Sequence, residues 1–250
     1  HLCCGRPLYD YGLLNQALKQ LEQILRVMRP YIQSGMPVVA LEPSCAAVFR
    51  DELIGLFPND EDANRLSKQT FIFSEFLSKY ARKKDLPKLP LKAIVHGHCH
   101  HQALWKMEDE ESVLKRMDVE PEFLEPQCCG MAGAFGYTED HYEVSMACGE
   151  RVLLPAVREA EKSTIIIADG FSCREQIQQT TDRHGLHLAE VMRIAMRDSQ
   201  VEGDYPEAIF IQPHEAALKK VNARAKALVG GGALLAASAL IWALARRLSR

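Results

Sequence analysis

The apolar positions of the first half alternate between helical and extended spacing. Leucine and isoleucine residues recur about every 3.6 positions between Tyr11 and Ile32, which predicts a long amphipathic helix. The apolar run 37–41 predicts a short buried strand that leads into Glu42-Pro43-Ser44-Cys45. Three further elements are expected in this half: a helix over 46–56, a loop over 57–63 and an amphipathic helix over 70–83. Alternating helices and short strands predict an α/β fold.

The second half repeats this alternation after a Lys/Pro-rich connector at 84–90. Its expected elements are strands over 91–95, 122–124 and 164–168, a long helix over 140–162 and a helix from 174 onward. The strand over 164–168 leads into Asp169-Gly170-Phe171-Ser172-Cys173, and His98-Cys99-His100 follows the strand over 91–95 in the same way. Functional groups of α/β proteins commonly lie at such carboxyl ends of strands.

The cysteines indicate an internal duplication. Cys3-Cys4-Gly5 and Cys128-Cys129-Gly130 are each followed by a long helix, an apolar strand and a Ser-Cys pair. Forty residues separate Cys4 from Cys45, and 43 separate Cys129 from Cys173, so the spacing is matched as well as the order. The strand and leading cysteine that Cys99 supplies to the second half have no counterpart in the first, and they are expected upstream of His1.

We therefore expect an α/β protein made of two pseudo-repeated Cys-Cys-Gly units, each with a short parallel sheet flanked by helices, plus a hydrophobic C-terminal helix. The expected segments are an N-terminally incomplete first unit over 1–90, a second unit over 91–200, a linker over 201–226 and a hydrophobic, candidate transmembrane helix over 227–245.

The C-terminal segment 227–245 contains no charged residue, and basic residues flank both of its ends. As a helix it would span roughly 28 Å, close to the thickness of a bilayer core. A membrane anchor is the favoured interpretation, and a small-residue helix packed on the protein or on a partner is the alternative. The basic residues at both ends leave the orientation open. We expect a cytoplasmic protein, which this tail would anchor on the cytoplasmic face of a membrane.

Composition narrows the function classes. Apolar residues make up 47% of the chain and charged residues 25%, as in ordinary globular proteins. The net charge of −3, with both signs well mixed, provides no basic face for nucleic acid. Eight cysteines are too few for a small disulfide scaffold, and adjacent cysteines bridge poorly. This cysteine usage favours metal or redox chemistry in a reducing compartment.

Seven of the eight cysteines fall into two sets that suit iron–sulfur chemistry. A cluster needs several thiolates that converge on turns whose backbone N–H groups can reach the sulfurs. The complete set is Cys99, Cys128, Cys129 and Cys173, and the partial set is Cys3, Cys4 and Cys45. Gly130 lets the backbone bend closely after its cysteine pair. Neither set has the C-x-x-C spacing of ferredoxins or zinc ribbons. Cys148 lies within a predicted helix and is expected to be structural.

Four histidines crowd around Cys99, namely His96, His98, His100 and His101. Imidazole beside thiolate suits zinc. The favoured interpretation is a loop whose histidines form hydrogen bonds to cluster sulfurs, to the backbone or to solvent. His100 is then a candidate for a residue that bonds the ligands and orients them. Arg174 either offsets the charge of a thiolate cluster or faces solvent. No GxGxxG, P-loop or nucleophile elbow is present, so the sequence does not support nucleotide or flavin binding inside this chain.

Three stretches resemble the cysteine-rich (CCG) domain family over roughly residues 1–197. They are 128–136 (Cys-Cys-Gly-Met-Ala-Gly-Ala-Phe-Gly), 169–177 (Asp-Gly-Phe-Ser-Cys-Arg-Glu-Gln-Ile) and 187–191 (His-Leu-Ala-Glu-Val). The family includes a heterodisulfide reductase component and the iron–sulfur subunits of glycolate, glycerol-3-phosphate and lactate oxidation systems. The sequence is most similar to the C-terminal part of fused flavin-plus-iron–sulfur oxidases that act on D-2-hydroxy acids.

The resemblance implies paired α/β units that bind an iron–sulfur cluster and relay electrons from a flavin (FAD) domain or partner towards an acceptor such as a quinone. Four cysteines fall on the family's ligand positions: Cys99, Cys128, Cys129 and Cys173. The fullest family pattern ends in C-x-x-C, and this chain has no second cysteine before Cys45 or Cys173. A four-thiolate [4Fe-4S] site in the second half is therefore expected, rather than a five-thiolate cluster.

Two other functions are alternatives to an electron-relay module of a flavin-linked oxidoreductase. One is disulfide reduction at the cluster, which the missing C-x-x-C cysteines disfavour. The other is a zinc-stabilised binding module built from the second-half cysteines and His100.

Overall fold

Parallel sheets organise the part of the chain that the computed structural model describes, which is residues 2–197, 201, 203–209, 211 and 221. A two-stranded sheet pairs β1 (Val38–Ala40) with β2 (Thr70–Ile72). A four-stranded sheet has the order β4-β3-β5-β6. Its strands are β3 (Lys92–His96), β4 (Glu120–Phe123), β5 (Ile165–Ala168) and β6 (Gly185–Leu186). All of these pairings are parallel, which confirms the predicted α/β class.

Helices connect and flank the strands. They are α1 (Arg6–Asp10), α2 (Leu14–Gln33), α3 (Pro43–Ala47), α4 (Leu53–Leu56), α5 (Glu61–Gln69), α6 (Phe73–Tyr80), α7 (Cys99–Leu104), α8 (Glu108–Arg116), α9 (Tyr142–Gly149), α10 (Leu153–Glu159), α11 (Phe171–Thr180) and α12 (Leu188–Arg197). A π-helical turn, Val48–Glu52, joins α3 to α4. Short 3-10 turns occur at Lys83–Asp85, Phe135–Tyr137 and Glu139–His141.

The two halves share the same local order, as the duplicated motifs predict. In the first half β1 leads into the cysteine-bearing α3, and its partner β2 leads into α6. In the second half β5 leads into the cysteine-bearing α11, and its partner β6 is followed by α12. The second half adds β3, the strand before Cys99, in the centre of its sheet. The predicted pair of pseudo-repeated units is therefore confirmed.

Each half has its own apolar core. In the first half, α2 buries one face, including Leu21 and Ile24, against Leu53 and Leu66. In the second, Ile166 of β5 packs with apolar side chains of α10 and with Cys129. All four residues of β5 are buried, because helices cover both faces of the parallel sheet. Cys4 and Cys129 are themselves part of these two cores, which places the cysteine sites at their edges.

Three local predictions were wrong. The helix expected over 140–162 is two helices, because Pro155 has no N–H and its ring would clash with the preceding turn of a continuous helix. Thr70–Ile72 forms β2 rather than the start of a helix, since these residues are fully buried beside β1. The loop expected over 57–63 ends early, because the Asp60 carboxylate accepts a hydrogen bond from Ala63 N and starts α5.

The described chain up to Glu207 belongs to one compact unit. The predicted unit boundaries at 90 and 200 and the linker over 201–226 stay predictions. No helix within the described residues is both long enough and apolar enough to cross a bilayer. The hydrophobic helix predicted over 227–245 lies outside the described residues.

Candidate metal centre

Three second-half cysteines meet at the carboxyl end of β5. The Cys129 thiol interacts with both Cys128 and Cys173, which each affect its pKa. Cys129 and Cys173 are buried, whereas Cys128 is exposed. The N–H of Gly130 donates to Cys128 Sγ over 3.3 Å, and the N–H of Met131 bonds the Cys129 sulfur. The pair and its distant partner therefore present converging sulfurs with backbone donors, as an iron–sulfur ligand set requires.

Two thiols of this set, Cys128 and Cys129, hold their protons more tightly than ordinary cysteines do. A hydrogen bond from Cys128 lowers the pKa of Cys129, but the bond to Cys173 and burial outweigh it and raise that pKa to about 12. The hydrogen bond with Cys129, followed by burial, raises the pKa of Cys128 above its ordinary value. A bound metal would need to displace these protons, since thiolates are the ligating form.

Only glycine fits after the second cysteine pair. Gly130 has a φ of +96°, and a Cβ built on it would lie 2.0 Å from the Ser145 carbonyl oxygen. The turn after Cys129 is thus pressed against the backbone of α9. Gly5, its counterpart, also has a positive φ of +80°, but a Cβ built on it would lie 3.4 Å from its nearest neighbour, the backbone of Ala17. The second turn is therefore the more tightly enclosed of the two.

Cys99 reaches the same sheet edge from the neighbouring strand. His96, the last residue of β3, lies opposite Ala168 of β5, so the loops towards Cys99 and Cys173 start side by side. Burial raises the pKa of Cys99, and the nearby Cys128 raises it further. The ligand atoms of His98, Cys99 and His100 lie within 4.8 Å of one another. Cys128 is thus near enough to Cys99 to affect its pKa, and a shared four-cysteine site stays a prediction.

The histidines around Cys99 are held in the neutral form. Burial lowers the pKa of His96 to about 4 and that of His98 to about 3. His98 Nδ1 accepts a hydrogen bond from the N–H of His100 over 3.2 Å and so starts α7. Within the described residues, neither ring nitrogen of His96 nor Nδ1 of His100 has a hydrogen-bond partner. Neutral imidazoles with free nitrogens are available to bond a sulfur or a metal.

The first-half cysteines form a second, smaller group. Cys4 Sγ and Cys45 Sγ are 3.1 Å apart, and Cys3 is exposed beside them. The hydrogen bond from Cys45 lowers the pKa of Cys4 to about 6, with help from the N–H of Arg6. The Arg6 guanidinium bonds Glu52 at 2.6 Å and the carbonyl of Ser44 at 3.4 Å. One thiolate is therefore favoured here, beside a fixed cation.

The first-half cysteines line a cleft of about 700 Å³. Its first wall is formed by Cys3, Cys4, Cys45 and Arg6, and its second by the turn 132–138 and by Phe171 and Ser172. The helix that carries Cys45, α3, packs against α7, which carries Cys99. The first-half cysteines therefore lie near the helix that begins at Cys99, and a common role for all seven cysteines stays a prediction.

Comparison with known proteins assigns this region to a family. Residues 95–178, which hold the complete cysteine set, match the family described as "CCG: Cysteine-rich domain". The chain carries a CCG cysteine-rich domain. The resemblance predicted from the sequence motifs is therefore confirmed.

Relatives of this CCG protein include dehydrogenase components. It is 30% identical over 201 residues to an anaerobic glycerol-3-phosphate dehydrogenase subunit of Escherichia coli K12, covering 78% of this chain and 49% of the relative. It is 28% identical to lactate utilization protein A of Geobacillus thermodenitrificans, covering 76% and 82%. It is 24% identical to D-2-hydroxyglutarate dehydrogenase of Pseudomonas putida, covering 75% and 18%. The chain thus spans about half the length of the first of these relatives.

Arg174 and Cys148 also lie in the CCG domain, and their surroundings differ from those expected of a cluster ligand. The Arg174 guanidinium donates to the carbonyls of Ala168 and Asp169 at 2.9 and 2.6 Å, so it secures the end of β5. Cys148 lies half-buried on α9. Its expected structural role stays a prediction, as does the assignment of the individual cysteine ligands.

Sequence reasoning missed two residues that shape the CCG site. Arg6 belongs to the first half, but its positive charge acts to lower the pKa of His98 and of Cys99 in the second half. Glu42 bonds Ser44 in its own half and Phe171 in the other. A signal for the position of Glu42 was present, since Pro43 is typical of the first residue of a helix and marks the residue before it as the N-cap. Arg6 had no such signal, because its partners are distant in sequence.

Proposed function

We propose that this chain is the electron-transfer part of a dehydrogenase and that it holds an iron–sulfur cluster on Cys99, Cys128, Cys129 and Cys173. The observation that carries the proposal is the convergence of these cysteines at adjacent carboxyl ends of β3 and β5. Three separate segments of the chain contribute to the set. The similarity to dehydrogenase components supports an oxidoreductase role.

The donor set fits a [4Fe-4S] cluster. Four thiols from a single region match the four-thiolate requirement, and N–H groups of Gly130 and Met131 point at the sulfurs of Cys128 and Cys129. When bound, such a cluster takes up and releases single electrons. Burial of two of the four sulfurs and the backbone hydrogen bonds are the means by which this chain would set the potential.

The surrounding residues have defined tasks in this proposal. Gly130 lets the backbone come close enough for its N–H to bond sulfur. His100 stands beside Cys99 with a free Nδ1 that can bond a cluster sulfur. Arg174 donates to the carbonyls of Ala168 and Asp169 and so fixes the end of β5. This contact holds in place Cys173, the residue directly before Arg174. These contacts orient the ligands rather than take part in ligation.

The electron donor is proposed to be a flavin dehydrogenase domain or subunit of the 2-hydroxy acid type, with FAD bound there and a quinone as a candidate acceptor. The similarity to lactate utilization protein A and to D-2-hydroxyglutarate dehydrogenase supports this class of donor. The cleft beside the first-half cysteines offers a solvent-facing approach to Cys3, Cys4 and Cys45. Whether those three hold a cluster of their own stays a prediction.

Anaerobic purification with iron and sulfide analysis tests the proposal. The wild-type protein should be brown, absorb broadly near 400 nm and contain about four iron and four sulfide per cluster. Cys128→Ser and Cys173→Ser should each lose most of this iron. Cys148→Ser is the matched control and should retain it, because Cys148 lies on α9 outside both cysteine groups.

Colourless protein that carries zinc on its thiolates would overturn the proposal in favour of a zinc-stabilised binding module. Mixing the brown protein with a reduced 2-hydroxy acid flavin dehydrogenase should bleach the 400 nm band if the donor assignment is right. An unchanged band, with bleaching by dithionite, would reject that donor while leaving the cluster in place.

A further inference from the structure

A second group of metal-binding side chains lies buried away from the cysteines. His101 of α7, Glu110 of α8 and Asp169, which follows β5, place one ligand atom each within 4.8 Å of one another. Their exposed fractions are 1%, 1% and 6%. The charged neighbours of His101 are Asp169, Asp109 and His187, and no cysteine is among them. This group is therefore distinct from the sulfur sites.

The polar atoms of this group lack protein partners. Within the described residues, His101 Nε2 and both carboxyl oxygens of Glu110 have no hydrogen bond of good geometry, and the Ser74 hydroxyl is a weak donor beside Glu110. A buried polar atom without a partner costs about 1–3 kcal/mol, and a buried charge costs more. Three unpartnered atoms that face one another in a closed space therefore need a ligand in common.

The third member is already oriented towards the space. Asp169 Oδ1 accepts a hydrogen bond from the N–H of Leu188 over 2.9 Å, and His187 Nε2 lies 3.6 Å from the same oxygen. The position of this carboxylate is thus fixed by the start of α12. Burial and the nearby Asp169 raise the pKa of Glu110 well above its ordinary value, so this carboxyl holds a proton in the absence of a cation. A cation bound between the three side chains would replace that proton and satisfy their free atoms at once.

We propose that His101, Glu110 and Asp169 bind a divalent cation of the zinc class. Imidazole nitrogen with two carboxylate oxygens is a donor set that suits Zn²⁺, whereas Ca²⁺ and Mg²⁺ prefer oxygen alone. Ser74 Oγ completes the polar lining from α6. Ser74 lies on α6 in the first half, whereas the three proposed ligands all lie in the second half.

The site is closed, which indicates a structural role. Its three ligands are almost fully buried, and structural zinc sites are enclosed whereas catalytic ones keep an open position. An ion bound only by the folded chain raises the stability of that state by mass action. The cation would therefore stabilise the packing of α7 and α8 against the end of β5, independently of the redox chemistry of the thiolates.

Metal analysis of the full chain with its cysteine sites loaded tests the proposal. After equilibration with Zn²⁺ and removal of loose metal, the wild type should hold one zinc per chain in addition to its iron. X-ray absorption at the zinc edge should show nitrogen or oxygen ligands at about 2.0–2.2 Å and no sulfur at about 2.3 Å. Glu110→Gln and Asp169→Asn should lose this zinc. Glu108→Gln, an exposed residue of the same helix, should keep it.

Two results would overturn the proposal. Zinc bound through sulfur would show that the metal lies in the cysteine groups. Wild-type protein that holds iron but no zinc would show that His101, Glu110 and Asp169 share protons and bind no cation. Added Zn²⁺ should raise the midpoint of thermal unfolding of the wild type, a readout that needs no variant. Iron retained in Glu110→Gln, and zinc retained in Cys173→Ser, would show that this site and the cluster are separate.

Discussion

The carboxylate of Glu42 accepts a hydrogen bond from the backbone N–H of Phe171 over 2.8 Å, across 129 positions of sequence. Its other oxygen accepts bonds from the N–H and hydroxyl of Ser44. Glu42 therefore caps α3, which carries Cys45, and satisfies the first N–H of α11, which carries Cys173. A single side chain thus sets the relative position of the two cysteine-bearing helices.

Glu42→Ala should lower the free energy of unfolding by about 2–3 kcal/mol, because two helix ends lose an acceptor. Asp60→Ala is the control: it removes the cap of α5 alone and should cost about 1 kcal/mol. Urea denaturation of the two variants measures the difference. Only Glu42→Ala should also reduce the iron that the protein retains. Equal losses of stability with full iron in both would reject the bridging role.

Gly130→Ala should destabilise the protein severely and remove the cluster, since the new methyl group would meet the Ser145 carbonyl at 2.0 Å. Gly5→Ala meets nothing closer than 3.4 Å and should cost only the strain of a positive φ, about 1–2 kcal/mol. Thermal unfolding and iron content distinguish the two variants. Similar behaviour of both alanine variants would show that backbone conformation, not the contact with α9, explains why glycine follows both cysteine pairs.

Arg183 and Glu207 form an ion pair at 2.7 Å whose side chains are each only 3% exposed. Arg183→Met should cost about 3–5 kcal/mol, because it leaves the Glu207 carboxylate buried without its partner. The double variant Arg183→Met with Glu207→Gln should recover part of this loss. The exposed pair Arg158–Glu150 offers a comparison, and Arg158→Met should change the denaturation midpoint far less. A double variant no more stable than Arg183→Met would contradict the buried-charge explanation.

His96 should make the protein sensitive to mild acid. Burial holds its pKa at about 4, against 6.5 in an unfolded chain. Between these values the unfolded chain binds a proton that the folded chain excludes, so stability falls as the pH is lowered through this window. The loss amounts to at most about 1.4 kcal/mol per pH unit. His96→Leu should flatten this dependence in denaturation curves taken from pH 7 to pH 4, and parallel curves would refute the assignment.

Part of the fold and of the site could be predicted from the sequence because its signals are local. The strand predicted over 164–168 is β5 (Ile165–Ala168), and the periodic leucines of 11–32 form most of α2. Errors occurred where local signals competed: Thr70–Ile72 had helical neighbours, and burial beside β1 made them a strand. Pro155 was a local signal for a helix start that the 140–162 prediction overlooked.

The sequence by itself determined the duplicated Cys-Cys-Gly order, the α/β class and the family, since these depend on spacing and periodicity along the chain. Only the tertiary structure decided that Cys4 contacts Cys45, that Glu42 bonds Phe171 and that His101, Glu110 and Asp169 lie together in a buried group. These contacts join residues far apart in sequence, and they arise from strand order and helix packing. Hydrophobic periodicity reports which face of an element is buried, but not which distant side chain it meets.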